Sequence, residues 1–149
     1  YGLDDVLKAQ EELKDTHYFI IKLHPHTQVH TEGTNCDIPS EELLPVADIV
    51  ITDYSSILFD AMIYQLPLVL FAPDLEEYLA SRGFYLDYRT LPGIHIQKEE
   101  QLVKVLSDEA RLNSSVNQKY HDFFQDYMAA CDGYATRRIM NYVSKSPNK

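Results

Sequence analysis

The sequence predicts an α/β fold: a Rossmann-like, doubly wound parallel sheet flanked by helices. Three observations point there. Short, β-branched apolar runs recur at YFIIKL (18–23), DIVIT (48–52) and LVLFA (68–72). Stretches with helical spacing separate them, the alternation that builds parallel βαβ units. And 149 residues with 45% apolar and 11% aromatic content suffice for one domain with its own core.

Each element has a local reason. Residues 3–15 place Leu3, Val6, Leu7, Ala9 and Leu13 near helical spacing, with Asp4 and Asp5 in the first turn, where the helix dipole favours anions. Residues 18–23 read as a buried strand stopped by Pro25. Residues 24–39 are polar, contain Gly and Pro, and read as a loop, with room for a short strand near its end. Ser40 before Glu41-Glu42 resembles an N-cap opening a short helix over Leu43, Leu44 and Val46. After the strand 48–52, a helix is expected from about Ser55 to Tyr64, and Pro67 opens the third strand, 68–72. Residues 74–81 continue as helix and 84–88 as an extended piece. Residues 98–112, 114–130 and 134–144 read as helices, and Arg137, Arg138, Lys145 and Lys149 make the last segment basic. No internal repeat, low-complexity stretch or linker divides the chain.

Composition excludes several classes. Thirteen Lys+Arg against 23 Asp+Glu give a formal charge of −10, which argues against a general nucleic-acid binder. The longest clean apolar run, Leu66 to Ala72, falls far short of the ~20 residues of a membrane span. Cys36 and Cys131 are too few for a disulfide scaffold and read as ordinary cytoplasmic thiols, Cys131 packed in a helix. The chain opens Tyr1-Gly2 with no basic-then-apolar leader, and reads as an excerpt of a longer protein.

The stretch richest in chemistry is Thr52-Asp53-Tyr54-Ser55-Ser56. It falls at the carboxyl end of an expected strand and the start of a helix, where open parallel sheets bind ligands. A helix N-terminus offers free N–H groups and partial positive charge to a phosphate, and two serines add hydroxyl donors. Asp60, one turn on from Ser56, is within reach of a ribose hydroxyl or a neighbour to cap. Plain N-capping without a ligand is an equally weighted reading. His24, in Lys22-Leu23-His24-Pro25-His26, is expected on the same rim, where an imidazolium can neutralise charge on a phosphate leaving group. A strand-end histidine bonding only backbone is the plain alternative. His24, His26, His30 and Cys36 are ligand types, but their spacing matches no tight metal pattern. The neighbouring acids Glu76-Glu77 and Glu99-Glu100 point apart on helices and read as solvated faces. The eleven tyrosines carry no spacing that assigns them a role.

Residues 47–93, ADIVITDYSSILFDAMIYQLPLVLFAPDLEEYLASRGFYLDYRTLPG, resemble the C-terminal half of the CDP-glycerol glycerophosphotransferases, the teichoic-acid primases and polymerases with relatives that transfer ribitol phosphate. The pattern is a strand, TDYSS, a following FD, a strand running into FxxDxxxY, then RGFYxDY and LPG. KLHPH upstream fits the same family. The resemblance implies one half of a GT-B fold, residues 1–149 forming a single C-terminal domain that binds a CDP-alcohol donor, the acceptor-side half with its proposed general base lying elsewhere. It implies His24 as the catalytic group at the donor pyrophosphate. Thr52, Asp53, Ser55, Ser56 and Asp60 become donor or phosphate contacts, and His26, Glu76 and Glu77 secondary candidates near the nucleotide cleft.

The reaction so implied is transfer of glycerol or ribitol phosphate to a hydroxyl acceptor with release of CMP. No cofactor and no protein-bound metal is expected, and a free Mg²⁺ travelling with the nucleotide is compatible with it. A lipid-linked acceptor would be engaged through the missing half, and the enzyme would sit peripherally on the cytoplasmic membrane face. The fragment alone is expected to be inactive. Two alternatives stay open: a GT-B glycosyltransferase using a CMP- or UDP-sugar, and a nucleotide-binding module without catalysis.

Overall fold

The computed structural model describes residues 2–23 and 36–145. Its described elements run α1 (Leu3–Leu13), α2 (Ser40–Leu43), a 3-10 turn (Leu44–Val46), β1 (Val50–Thr52), α3 (Ile57–Ile63), β2 (Leu68–Phe71), α4 (Leu75–Ser81), a 3-10 turn (Tyr88–Thr90), β3 (Ile94–Ile96), α5 (Glu99–Leu106), α6 (Glu109–Ser115), α7 (Gln118–Met128) and α8 (Ala135–Lys145).

The three strands form one parallel sheet in the order β1-β2-β3. Val50 pairs with Leu68 and Thr52 with Leu70, while Val69 pairs with Ile94 and Phe71 with Ile96. β2 is central and buried at every position, which is why its sequence is an unbroken apolar run. Its side chains alternate between two cores. Leu68 and Leu70 join Leu58, Met62, Leu75, Tyr88 and Tyr120 on the face covered by α3, α4 and α7. Val69 and Phe71 join Leu13, Ile96, Leu102, Val105 and Leu112 on the face covered by α1, α5 and α6. Helices on both faces of a parallel sheet are the expected doubly wound arrangement.

Gly93 sets the entry to β3. Its φ is +120°, and a Cβ there would lie 2.8 Å from the Leu68 carbonyl oxygen and 2.9 Å from Leu68 Cβ. Only glycine lets the backbone approach β2 so closely. Gln65 adopts φ 55° just past α3, and the Gln65 and Leu66 amides donate to the Met62 and Ala61 carbonyls, closing that helix end.

Several boundaries differ from the sequence-based expectation. Residues 18–23 do not form a strand. Tyr18 and Ile20 face outward at 91% and 47% exposure, and Phe19 packs on the α1/α5/α6 face. A cavity of about 520 Å³, lined by residues of 16–22 and of 46–51 among others, lies between this segment and the β1 edge that no described strand pairs with. The turn before it is tied to α5 instead, His17 Nε2 lying 3.1 Å from the Leu106 carbonyl oxygen. Residues 84–87 of the expected extended piece hold no regular element, and Tyr88 opens a 3-10 turn; the last strand of the sheet is the short Ile94–Ile96, which the sequence reading missed. The helix expected over 98–112 is two, because Asp108 accepts from the Arg111 amide and caps a new start. Ser40 is the first residue of α2 rather than its cap, a place taken by Pro39. Cys131 is exposed and lies between α7 and α8 rather than packed in a helix.

Candidate functional site

The site grows from two adjacent parallel strands whose carboxyl ends run into loops and then helices. β1 leads through Asp53-Tyr54-Ser55-Ser56 into α3, and β2 leads through Ala72-Pro73-Asp74 into α4. In an open parallel sheet this rim is where ligands bind. Ser55 and Ser56 are both exposed there. Ser55 Oγ accepts from the Ile57 amide at 3.3 Å, and Ser56 stands at the N-cap of α3 with no side-chain capping bond. Its hydroxyl is therefore not committed to the helix.

Aromatic side chains brace the loop from below. The Tyr54 hydroxyl donates to Asp74 Oδ1 at 2.6 Å, joining the β1 loop to the β2 loop across 20 positions of sequence. The Tyr88 hydroxyl donates to the Asp53 carbonyl at 3.2 Å. Tyr54 stacks on Tyr78 with centroids 3.8 Å apart, and Phe84 stacks on both Tyr78 and Tyr88. Burial pushes the Tyr54 and Tyr88 hydroxyls well above the usual phenol range; for Tyr54 the hydrogen bond to Asp74 adds to it, and for Tyr88 the charge of Asp53. Both are held as neutral donors, which is what locking a carboxylate and a carbonyl requires.

The chain matches the family described as CDP-glycerol:poly(glycerophosphate) glycerophosphotransferase over residues 3–145. It belongs to that family. It is 28% identical, over 93% of its length and 24% of the relative's, to the teichoic acid poly(ribitol-phosphate) polymerase of Bacillus spizizenii. It is 27% identical to the teichoic acid glycerol-phosphate primase of the same organism, over 95% of this chain and 38% of that one. Among solved structures, the wall teichoic acid polymerase TagF superposes with a TM-score of 0.76 at 26% identity, over 97% of this chain and 38% of the other. A TagF variant soaked with CDPG superposes with a TM-score of 0.75 over the same shares. The chain thus spans between about a quarter and two-fifths of these glycerophosphotransferase-family proteins.

Within that family frame, the sequence-predicted residues separate. Asp53, Ser55 and Ser56 sit together on the rim loop, and Asp60 is exposed one turn along α3. Thr52 ends β1, is buried, and pairs in register with Leu70. Glu76 is drawn into an ion pair with Arg89 at 2.6 Å, while Glu77 stands exposed beside it in the first turn of α4. His24 and His26 lie outside the described residues. The two sides of that loop are tied together where they are described. Lys22 Nζ donates to the Cys36 and Ile38 carbonyls at 3.1 and 2.6 Å, and the Cys36 amide donates to the Ile21 carbonyl.

Sequence reasoning missed Tyr54, Asp74 and Tyr88 as parts of the site. All three stand inside the resembling motif, in TDYSS, FAPDLEEY and RGFYLDY. The motif held the signal; the partnership needs the strand order to be known.

Proposed function

We propose that this chain is the donor-binding part of an enzyme that transfers a polyol phosphate from a CDP-alcohol to a hydroxyl acceptor. Residues 1–149 would form one Rossmann-like half of a GT-B arrangement. Carrying the proposal is the cross-braced rim: an exposed Ser55-Ser56 pair at a strand-to-helix turn, with its loop pinned by Tyr54 to Asp74 and by Tyr88. A preorganised turn of this kind suits a pyrophosphate, since its donors need no rearrangement as charge develops. Family membership and the likeness to a CDPG-soaked TagF point to the same ligand class.

In the reaction the acceptor hydroxyl attacks the β-phosphorus of the donor. A new phosphate ester bond forms, the pyrophosphate P–O bond breaks, CMP leaves with the electron pair, and the hydroxyl proton passes to a base. Ser55, Ser56 and the α3 N-terminus would hold the pyrophosphate, and His24 would stabilise charge on the departing CMP. Asp53 would orient the loop, and Asp60 would meet the ribose. The general base, the lipid-linked acceptor and the acceptor-side half would come from outside this chain. A place at the cytoplasmic membrane face accompanies this reading.

Calorimetric titration with CDP-glycerol, CDP and UDP tests it. The expected result is binding of the two cytidine compounds over UDP, weakened at least tenfold in Ser55→Ala/Ser56→Ala with the fold intact by circular dichroism. Equal binding of UDP, or cytidine binding that the double variant leaves unchanged, overturns it.

A further inference from the structure

The rim that would receive the donor is short of positive charge. From Thr52 to Ser81, the stretch that builds the β1 and β2 loops and the helices they open, there are five acids and no lysine or arginine. Asp53, Asp60, Glu76 and Glu77 are exposed, and Asp74 is half-buried under the Tyr54 hydroxyl. A pyrophosphate brings more negative charge to the same loops, and like charges at close range repel. The Ser55 and Ser56 hydroxyls are neutral donors and cancel none of it.

Among the described residues, Arg89 is the cation tied to both loops. Its Nη2 lies 2.6 Å from Glu76 Oε1, in the first turn of α4 and two residues past Asp74. Its backbone neighbour Tyr88 holds the Asp53 carbonyl of the β1 loop. The turn that carries it is fixed: Asp87 Oδ1 accepts from the Arg89 amide at 3.0 Å, and the Thr90 hydroxyl donates to the Asp87 carbonyl at 2.7 Å. The side chain is still 55% exposed, and Glu76 beside it 76%. Arg82, the neighbouring arginine, follows the far end of α4, its guanidinium 6.0 Å from the centre of the Tyr78 ring.

We propose that Arg89 is a donor-binding residue, its guanidinium turning from Glu76 to a phosphate oxygen of the bound donor and supplying the full positive charge that the rim loops lack. An exposed ion pair is weakly held, so Glu76 parks the guanidinium beside the rim without locking it there. The planar fork has five N–H donors, of which Glu76 engages those on one nitrogen, and a fork of this kind pairs with phosphate through two parallel bonds. Glu76 is then the partner that holds the arginine in place while the site is empty, and not itself a ligand contact. The inference rests on the donor-binding reading and names the cation within it.

The experiment cuts the ion pair from either side and titrates CDP-glycerol and CDP by calorimetry at low and high salt, with circular dichroism checking the fold of each variant. Arg89→Gln is expected to weaken both ligands about tenfold or more at low salt, the size of a charge-assisted hydrogen bond, and the gap to the parent is expected to narrow at high salt. Arg89→Lys keeps the charge without the fork and is expected to lose less. Glu76→Gln removes the same ion pair but frees the guanidinium, and is expected to tighten binding by up to about fivefold. Lys104→Gln, exposed on α5, changes the net charge as Arg89→Gln does and is expected to bind like the parent. If the ion pair only shaped the turn, both cuts would weaken binding alike, at either salt. That result, or Arg89→Gln binding as tightly as the parent, overturns the proposal and leaves donor binding standing. A parent chain that binds neither ligand overturns the donor-binding reading, and this proposal with it.

Discussion

The two faces of the sheet are made of different materials. On the α1/α5/α6 face the buried core is aliphatic except for Phe71, and among the described residues it contains no side-chain hydroxyl. On the α3/α4/α7 face the core contains Tyr88 and Tyr120 with Tyr54 packed against them, and each of the three hydroxyls reaches a loop acceptor: Asp53 carbonyl, Leu66 carbonyl and Asp74 carboxylate. The first face stabilises by excluding water, which is indifferent to direction. The second adds directional bonds that fix where the strand-end loops stand. A rim that must meet a charged ligand without rearranging needs the second kind, and among the described residues that is the face whose core includes Tyr54 and Ile57, on either side of the serine turn.

Cutting each core alike gives the strongest test. Leu102→Ala on the aliphatic face and Leu58→Ala on the tyrosine face both remove side chains that are almost wholly buried. Each is expected to cost about 2–5 kcal/mol in denaturant unfolding. Only Leu58→Ala, in the helix that follows Ser56, is expected to weaken nucleotide binding in titrations under native conditions. Equal effects on binding would mean that the rim is not specially coupled to its own face.

Gly93→Ala attacks the seam that both faces share. The new Cβ meets Leu68 at under 3 Å and the backbone keeps a φ of +120°. Strain and overpacking together predict a loss of about 2–4 kcal/mol, read as a lower midpoint with an unchanged denaturant slope. A loss under about 0.5 kcal/mol, the size of an ordinary surface substitution, would show that β3 can shift away from β2.

The sheet was legible where side chains are buried on both faces. Leu68–Phe71 reads as a strand because every position is apolar. Residues 18–23 carry a similar composition yet form no strand, since composition records the wish for burial and not whether a neighbour's edge is met. Ile94–Ile96 was hidden because three residues around an exposed histidine, after Leu91-Pro92-Gly93, look like loop. The family pattern and the Ser55-Ser56 turn were readable because they are contiguous. The Tyr54–Asp74 bond was not, because it exists only once β1 and β2 are neighbours.

Removing single hydroxyls sharpens the contrast further. Tyr54→Phe, Tyr88→Phe and Tyr120→Phe each delete one hydrogen bond and are expected to cost about 0.5–1.5 kcal/mol. Tyr120, whose partner is Leu66 away from the rim, is expected to leave nucleotide affinity unchanged, while the other two reduce it. pH gives an independent check. Burial raises all three folded-state phenols above their ordinary value of 10.0. A raised folded value means stability is complete below pH 10 and lost as pH climbs from there, because the unfolded chain releases those protons first. Unfolding midpoints followed from pH 8 to 11.5 are expected to fall above pH 10, and to fall less in each Tyr→Phe variant.

The smallest effect belongs to Gln65, at the end of the serine helix. It holds φ 55°, a left-handed conformation that costs a side-chain-bearing residue on the order of 1 kcal/mol. Gln65→Gly removes that cost but frees the unfolded chain, which returns part of the gain. The net expectation is a stabilisation of about 0.5 kcal/mol or less, seen as a small rise in unfolding midpoint with nucleotide affinity unaltered. An affinity gain as large as the stability gain would mean that the far end of α3 limits how firmly Ser55 and Ser56 are held, placing helix fraying and not the tyrosine braces in control of the turn.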